Sequence, residues 1–173
     1  MRKFVLACLA AAVIPAGGCG YHTLGAATHL PPDVKTLSVP VFATRTEAYH
    51  TETAMTEAVI REFTSRTRLR VTPSGAGAPD AVLRGTILQQ VVTPLTYNTN
   101  TQQSSSFLIT IVVSVTLAGQ DGRVLYENKH YVFRQQYQST TDLASFIDES
   151  PAAEERLSRD FARALVADVL ESL

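Results

Sequence analysis

Between Phe107 and Leu117 the chain alternates without a break: Phe107, Ile109, Ile111, Val113, Val115 and Leu117 occupy every second position. Successive side chains on a strand point to opposite faces, so this run presents one wholly apolar face that must be buried. The other face carries Thr110, Ser114 and Thr116, with Leu108 and Val112 among them. Such a strand belongs to a sheet with one covered face. Gly119-Gln120-Asp121-Gly122 then supplies hairpin turn chemistry. Val124 to Gln138 returns as a long strand with polar residues on both faces.

The cover comes from two amphipathic helices. Over Ala54–Arg66, Met55, Val59 and Phe63 recur at i, i+4 and i+8, with Ile60 beside them. Thr51 or Thr53 suits the N-cap, and Arg61, Arg66 and Arg68 crowd the C-terminal end, where the helix dipole favours cations. A second helix starts with Ser150 as N-cap, Pro151 at the first helical position and Glu154 and Glu155 in the first turn. Its ridge is Leu157, Phe161, Leu165, Val169 and Leu173. Two further strands are predicted, Val34–Phe42 with Pro40 near an edge or end, and Ala81–Val92. Ser74–Asp80 and the polar stretch Thr93–Ser106 read as loops. The element order is β-α-β-β-β-α without internal repeat. It predicts an α+β two-layer sandwich, with two helices packed on one face of a four-stranded mixed sheet. The remaining face must meet water, a ligand or a partner.

Residues 1–18 read as a signal peptide: Arg2 and Lys3 precede an apolar run from Phe4 to Ile14, and Pro15 and small residues lead to Cys19. Cys after small residues fits a bacterial lipobox, in which the thiol is acylated and becomes the mature N-terminus. Ala16-Gly17-Gly18 also suits an ordinary secretory peptidase, which would leave Cys19 free. Acylation would anchor the chain firmly, since each buried CH2 contributes about 0.8 kcal/mol. Gly20, rather than Asp, after Cys19 favours the outer membrane. Residues 19–33 form a tether ending in Pro31-Pro32, and 34–173 form a single domain. No apolar run reaches the roughly 20 residues of a membrane-spanning helix.

Catalytic signals are lacking. With 15 Lys+Arg against 16 Asp+Glu, the chain has no excess of cations for a general nucleic-acid binder. His22, His29, His50 and His130 have no metal-binding spacing, and no G-x-S-x-G elbow occurs. Gly75-Ala76-Gly77 lacks the third glycine of a dinucleotide fingerprint and precedes a strand. Asp142, Asp148 and Glu149 belong to the connection into the last helix. The reading is a non-enzyme with no cofactor and no metal.

More informative are Arg84, Arg123, Lys129, His130 and Arg134, mixed along the strands with Tyr126, Tyr131 and Tyr137. Arg and Lys pair with phosphate, and aromatic rings suit a surface that meets sugars or acyl chains. The same residues also suit the solvent face of an ordinary sheet. Arg66, Arg68 and Arg70 form a second basic stretch, which helix capping explains.

Cys19-Gly20-Tyr21-His22, Leu24-Gly25, and Lys35-Thr36-Leu37-Ser38-Val39-Pro40-Val41-Phe42 followed by a Glu/Thr-rich helix resemble the LptE family, outer-membrane lipoproteins of lipopolysaccharide assembly. The resemblance implies a lipid-anchored protein on the periplasmic side of the outer membrane. It would plug and help assemble an LptD-like β-barrel and bind lipopolysaccharide on its way to the outer leaflet. For those contacts it suggests Arg84, Lys129 and Arg134, with lipid attachment at Cys19. The alternative is a structural envelope lipoprotein associated with peptidoglycan or a secretion pore.

Overall fold

The computed structural model describes residues 31, 33–46, 51–73, 77–98, 103–140 and 147–172. The signal segment, Cys19 and Leu173 lie outside the described residues.

The strands are β1 (Thr36–Ser38), β2 (Ala43–Thr44), β3 (Arg70–Thr72), β4 (Ala81–Asn98), β5 (Gln103–Gly119), β6 (Val124–Thr140) and β7 (Ile147–Asp148). The helices are α1 (Thr51–Arg66), between β2 and β3, and α2 (Ser150–Glu171). The fold is α+β with two helices and a mixed sheet, as expected, but the sheet is larger than four strands. It runs β3-β1-β4-β5-β6-β7, with β2 also on β4. β1 pairs in parallel with β3 and β4, β2 pairs in parallel with β4, and β4, β5 and β6 form an antiparallel meander.

Of the strand expected over Val34–Phe42 only Thr36–Ser38 forms, and a second short strand follows just beyond it at Ala43–Thr44. Leu37 pairs with Ala81 but Ala43 with Thr86, so the register slips by one between them. Pro40 sits at the slip, where it removes a ladder donor. The Phe42 N–H leaves the sheet and donates to Thr56 Oγ1 on α1 at 3.0 Å. This backbone detour lets the Phe42 ring enter the core.

Thr93–Ser106, read as a loop, is instead mostly strand: β4 continues to Asn98 and β5 begins at Gln103. Its side chains lack the apolar alternation that marks strands, but the ladder extends through backbone pairing with β5. At the opposite end Gly122, with φ of 81°, closes the β5–β6 hairpin and donates its N–H to the Gly119 carbonyl at 2.9 Å. Only glycine takes that conformation without cost.

Helix α2 begins with Ser150 inside it rather than capping it; Glu149 is the N-cap and makes no side-chain cap bond. Glu154 and Glu155 therefore fall beyond the first turn. Glu149 instead secures the helix start by accepting the Gln138 N–H at 3.2 Å through Oε2. Met55, Val59 and Phe63 from α1, with Leu157, Phe161, Leu165 and Val169 from α2, are fully buried against Leu83, Ile87, Ile109, Ile111, Val113, Val115 and Leu117. Phe161 is the hub, meeting the rings of Phe42, Tyr131 and Phe133 edge-on at 6.0, 5.8 and 5.4 Å. Perpendicular contacts of this kind add to the burial of the rings themselves.

Candidate functional site

Both helices lie on one side of the sheet, so its opposite face is the surface that the fold leaves for others. Two of the register shifts in the meander decide which side chains of β4 and β6 reach its middle. On β5, Leu108, Thr110, Val112, Ser114 and Thr116 alternate with the buried row and point away from the helices. On β4, Thr86 faces Ser114 but Gln89 faces Val112, so Leu88 is an extra residue. On β6, Asn128 faces Val115 but Tyr131 faces Val113, so three steps on β6 match two on β5. Each insertion reverses the side-chain parity beyond it.

The β6 bulge has a large effect. It turns Tyr131 and Phe133 toward the helices, and leaves Val132, Arg134 and Gln136 on the open face. Rows across that face read Arg84–Thr116–Glu127, Gln89–Val112–Val132, Val91–Thr110–Arg134 and Thr93–Leu108–Gln136. The surface is a ladder of Thr, Gln and small aliphatic side chains with guanidinium groups toward its two ends.

Arg84 and Arg134 share this face, and both are exposed. Their row partners Thr116 and Thr110 stand six residues apart on β5, so the two arginines are separated by about 20 Å along the strands. Lys129 sits in the bulge and pairs with Glu127 at 3.2 Å, which places it beside the Arg84 row. Among the described residues neither Arg84 nor Arg134 forms an ion pair. The basic residues therefore form two sites rather than one cluster.

The tyrosines do not belong with them. Tyr126, Tyr131 and Tyr137 pack against the hydrophobic core on the helix side. Tyr137 stacks on Phe107 at 5.2 Å, and the Tyr131 hydroxyl donates to Asp168 Oδ2 on α2 while bonding the Tyr126 hydroxyl. Burial, then these hydrogen bonds, push the Tyr131 phenol well above its ordinary range. An aromatic surface for sugars or acyl chains is thereby corrected: the open face is aliphatic and amide-rich. The signal that could have revealed this is the slip of the apolar period between Tyr126 and Tyr131.

Of the other basic residues, Arg66 is held by Glu62 at 2.6 Å in the last turn of α1, Arg68 is exposed after that helix, and Arg70 opens the edge strand β3. Arg123 lines a cleft of about 450 Å³ at the base of the sheet, with Asp33, Asp80, Gln120 and Leu125. The Asp80 carboxylate there is already engaged, accepting the N–H groups of Lys35 and Thr36 and the Thr36 hydroxyl at 2.8–2.9 Å. The Lys35 amide foremost, then the Thr36 donors, hold it below the usual carboxylate range. This cleft is a structural joint between β1 and β4. Among the described residues, no three His, Cys, Asp or Glu side chains gather to hold a metal, and no helix is long and apolar enough to cross a membrane.

Residues 34–169 match the lipopolysaccharide-assembly family LptE. The chain belongs to the LptE family. This is a family of non-enzymatic lipoproteins, and the match spans every described strand and nearly all of α2. Similar solved structures include a lipoprotein candidate from Caulobacter crescentus CB15, 12% identical with TM-score 0.53, covering 76% of this chain and 87% of that one. Lipoprotein B of Nitrosomonas europaea is 13% identical with TM-score 0.50, covering 81% and 88%. A Chlamydia trachomatis protein described as hypothetical is 13% identical with TM-score 0.50, covering 80% and 98%. At these identities the likeness is one of fold. No curated protein sequence is significantly similar to this LptE-family chain.

Proposed function

We propose that this LptE-family chain is a lipid-anchored protein of the outer membrane, on its periplasmic side. In this reading it plugs and helps assemble an LptD-like β-barrel and binds lipopolysaccharide in transit. Residues 1–18 are its signal peptide, Cys19 carries the lipid, 19–33 form the tether and 34–173 the working domain. The observation that carries the reading is the helix-free face, whose Thr and Gln rows suit the polar wall of a barrel interior.

Arg84, Lys129 and Arg134 are the proposed lipopolysaccharide contacts. Two phosphates on one glycolipid could engage Arg84 and Lys129 together, with Arg134 serving a second group farther along the same face. Val91, Val112 and Val132 between them offer apolar surface. Confinement to the membrane plane through Cys19 raises the effective concentration of the domain at the barrel.

Affinity purification of the full chain from detergent-solubilised outer membranes tests this directly. The expected result is co-recovery of a large β-barrel protein together with lipopolysaccharide. Recovery of the chain with sacculi or as a ring oligomer, free of any barrel, would overturn it.

A further inference from the structure

β4 is paired with β5 along its inner edge from Ala81 to Asn98. Its outer edge is covered by β1 only at Ala81–Val82 and by β2 only at Thr86–Ile87. Among the described residues, nothing pairs with that edge beyond Ile87. A free row of N–H and C=O groups is a template for another strand, and sheets normally guard such rows with charges, prolines or bulges.

The two sides of the meander are guarded differently. β6 carries Glu127, Lys129, His130 and Arg134 along its length. From Gly85 through Gln120, by contrast, the sequence contains no Asp, Glu, Lys or Arg. The free edge of β4 instead exposes Val91, Val92 and Leu95 by 41, 47 and 47%. Val91 stands on the open face and Val92 on the helix side, so apolar surface flanks the edge above and below. Beside it the Oε1 of Gln90 is buried with no hydrogen-bond partner. Pro94 removes one donor, and the ladder to β5 slips at Leu88 and again at Leu95, so the regular stretch of this edge lies between those two residues.

We infer that the outer edge of β4 from Leu88 to Leu95 accepts one extended segment of the barrel partner, adding a strand to the sheet. The identity of the partner rests on the function proposed above; the mode of docking rests on the edge itself. Main-chain hydrogen bonds supply the affinity, and side chains of the incoming segment pack on Val91 and Val92. That segment is uncharged where it meets these valines, because β4 offers no counter-charge and an unpaired buried charge is costly. A closed barrel has no free strand edge, so the segment is a loop or terminal extension rather than a barrel strand.

The test uses the full chain co-expressed with its barrel, with a benzophenone amino acid placed at Gln89, Leu95 or, on the other edge strand, His130. Barrel adducts from Gln89 and Leu95 but not from His130 are expected. The exposed pair Val91→Lys with Leu95→Lys should recover about tenfold less barrel with an unchanged circular-dichroism spectrum. Equal recovery with the unsubstituted chain and the lysine variant, adducts from His130 alone, or adducts with a second copy of the chain overturn the inference. Should the lysines disturb the fold, the Gln89 and Leu95 adducts decide alone. Failure of the unsubstituted chain to recover any barrel overturns the proposed partner, and the docking mode with it.

Discussion

The Tyr131 hydroxyl on β6 donates a 2.5 Å hydrogen bond to Asp168 Oδ2 near the C-terminal end of α2. Phe161, two turns earlier on the same helix, meets the Tyr131 ring edge-on. One side chain thus joins helix and sheet through both its ring and its hydroxyl. Tyr131→Phe keeps the ring and removes the bond, and should cost about 1 kcal/mol of stability in urea unfolding. Burial and hydrogen bonding favour the neutral phenol in the folded chain. Its contribution is therefore complete below about pH 10 and is lost as pH rises further, when the unfolded chain ionises first. Tyr131→Phe should flatten that part of the alkaline limb.

Phe161→Ala should be far more damaging. It empties the centre of three ring contacts in a fully buried site, and a loss of about 3–5 kcal/mol is expected. A cost below about 1 kcal/mol by urea unfolding would show that α2 is not held by this cluster.

Gly85 is required for space rather than for backbone freedom. A Cβ there would come within 2.4 Å of the Phe42 ring, which is itself buried. Gly85→Ala should lower stability by about 1–3 kcal/mol, and Phe42→Leu in the same chain should restore part of it. Thermal unfolding of the single and double variants measures both effects.

Asp80 predicts the acid behaviour. Its depressed carboxylate pKa means that the stabilisation is present above about pH 4 and disappears as pH falls through the lower folded-state value. Asp80→Asn should be less stable at neutral pH, while the difference from the parent narrows in acid. Urea midpoints measured across that range would reveal a parallel offset if Asp80 played no such part.

The sequence made much of this architecture legible where periodicity is strict. Phe107–Leu117 announced a central strand, and Met55, Val59 and Phe63 announced a helix face. The bulges at Leu88 and at Lys129–His130 were hidden, because an inserted residue reverses parity without changing composition. The β6 bulge accounts for the facing of Tyr131 and Tyr137 and for the mixed polarity of both faces of β6. The arms of the β4–β5 pair were missed for another reason: a run of Thr, Gln, Asn and Ser carries no apolar alternation to mark a strand, although its backbone pairs. Arg84 and Arg134 could be picked out as exposed cations, but their separation along the sheet depends on the register.

The proposed lipopolysaccharide surface is the helix-free face and not the helices. Binding of the full chain to purified lipopolysaccharide should be compared for Arg84→Glu with Lys129→Glu and for Arg61→Glu with Arg159→Glu, an equal charge change on exposed helix positions. About tenfold or greater weakening is expected for the sheet pair, with near-parental binding for the helix pair. Equal weakening by both pairs, or no weakening by the sheet pair, would rule out that surface.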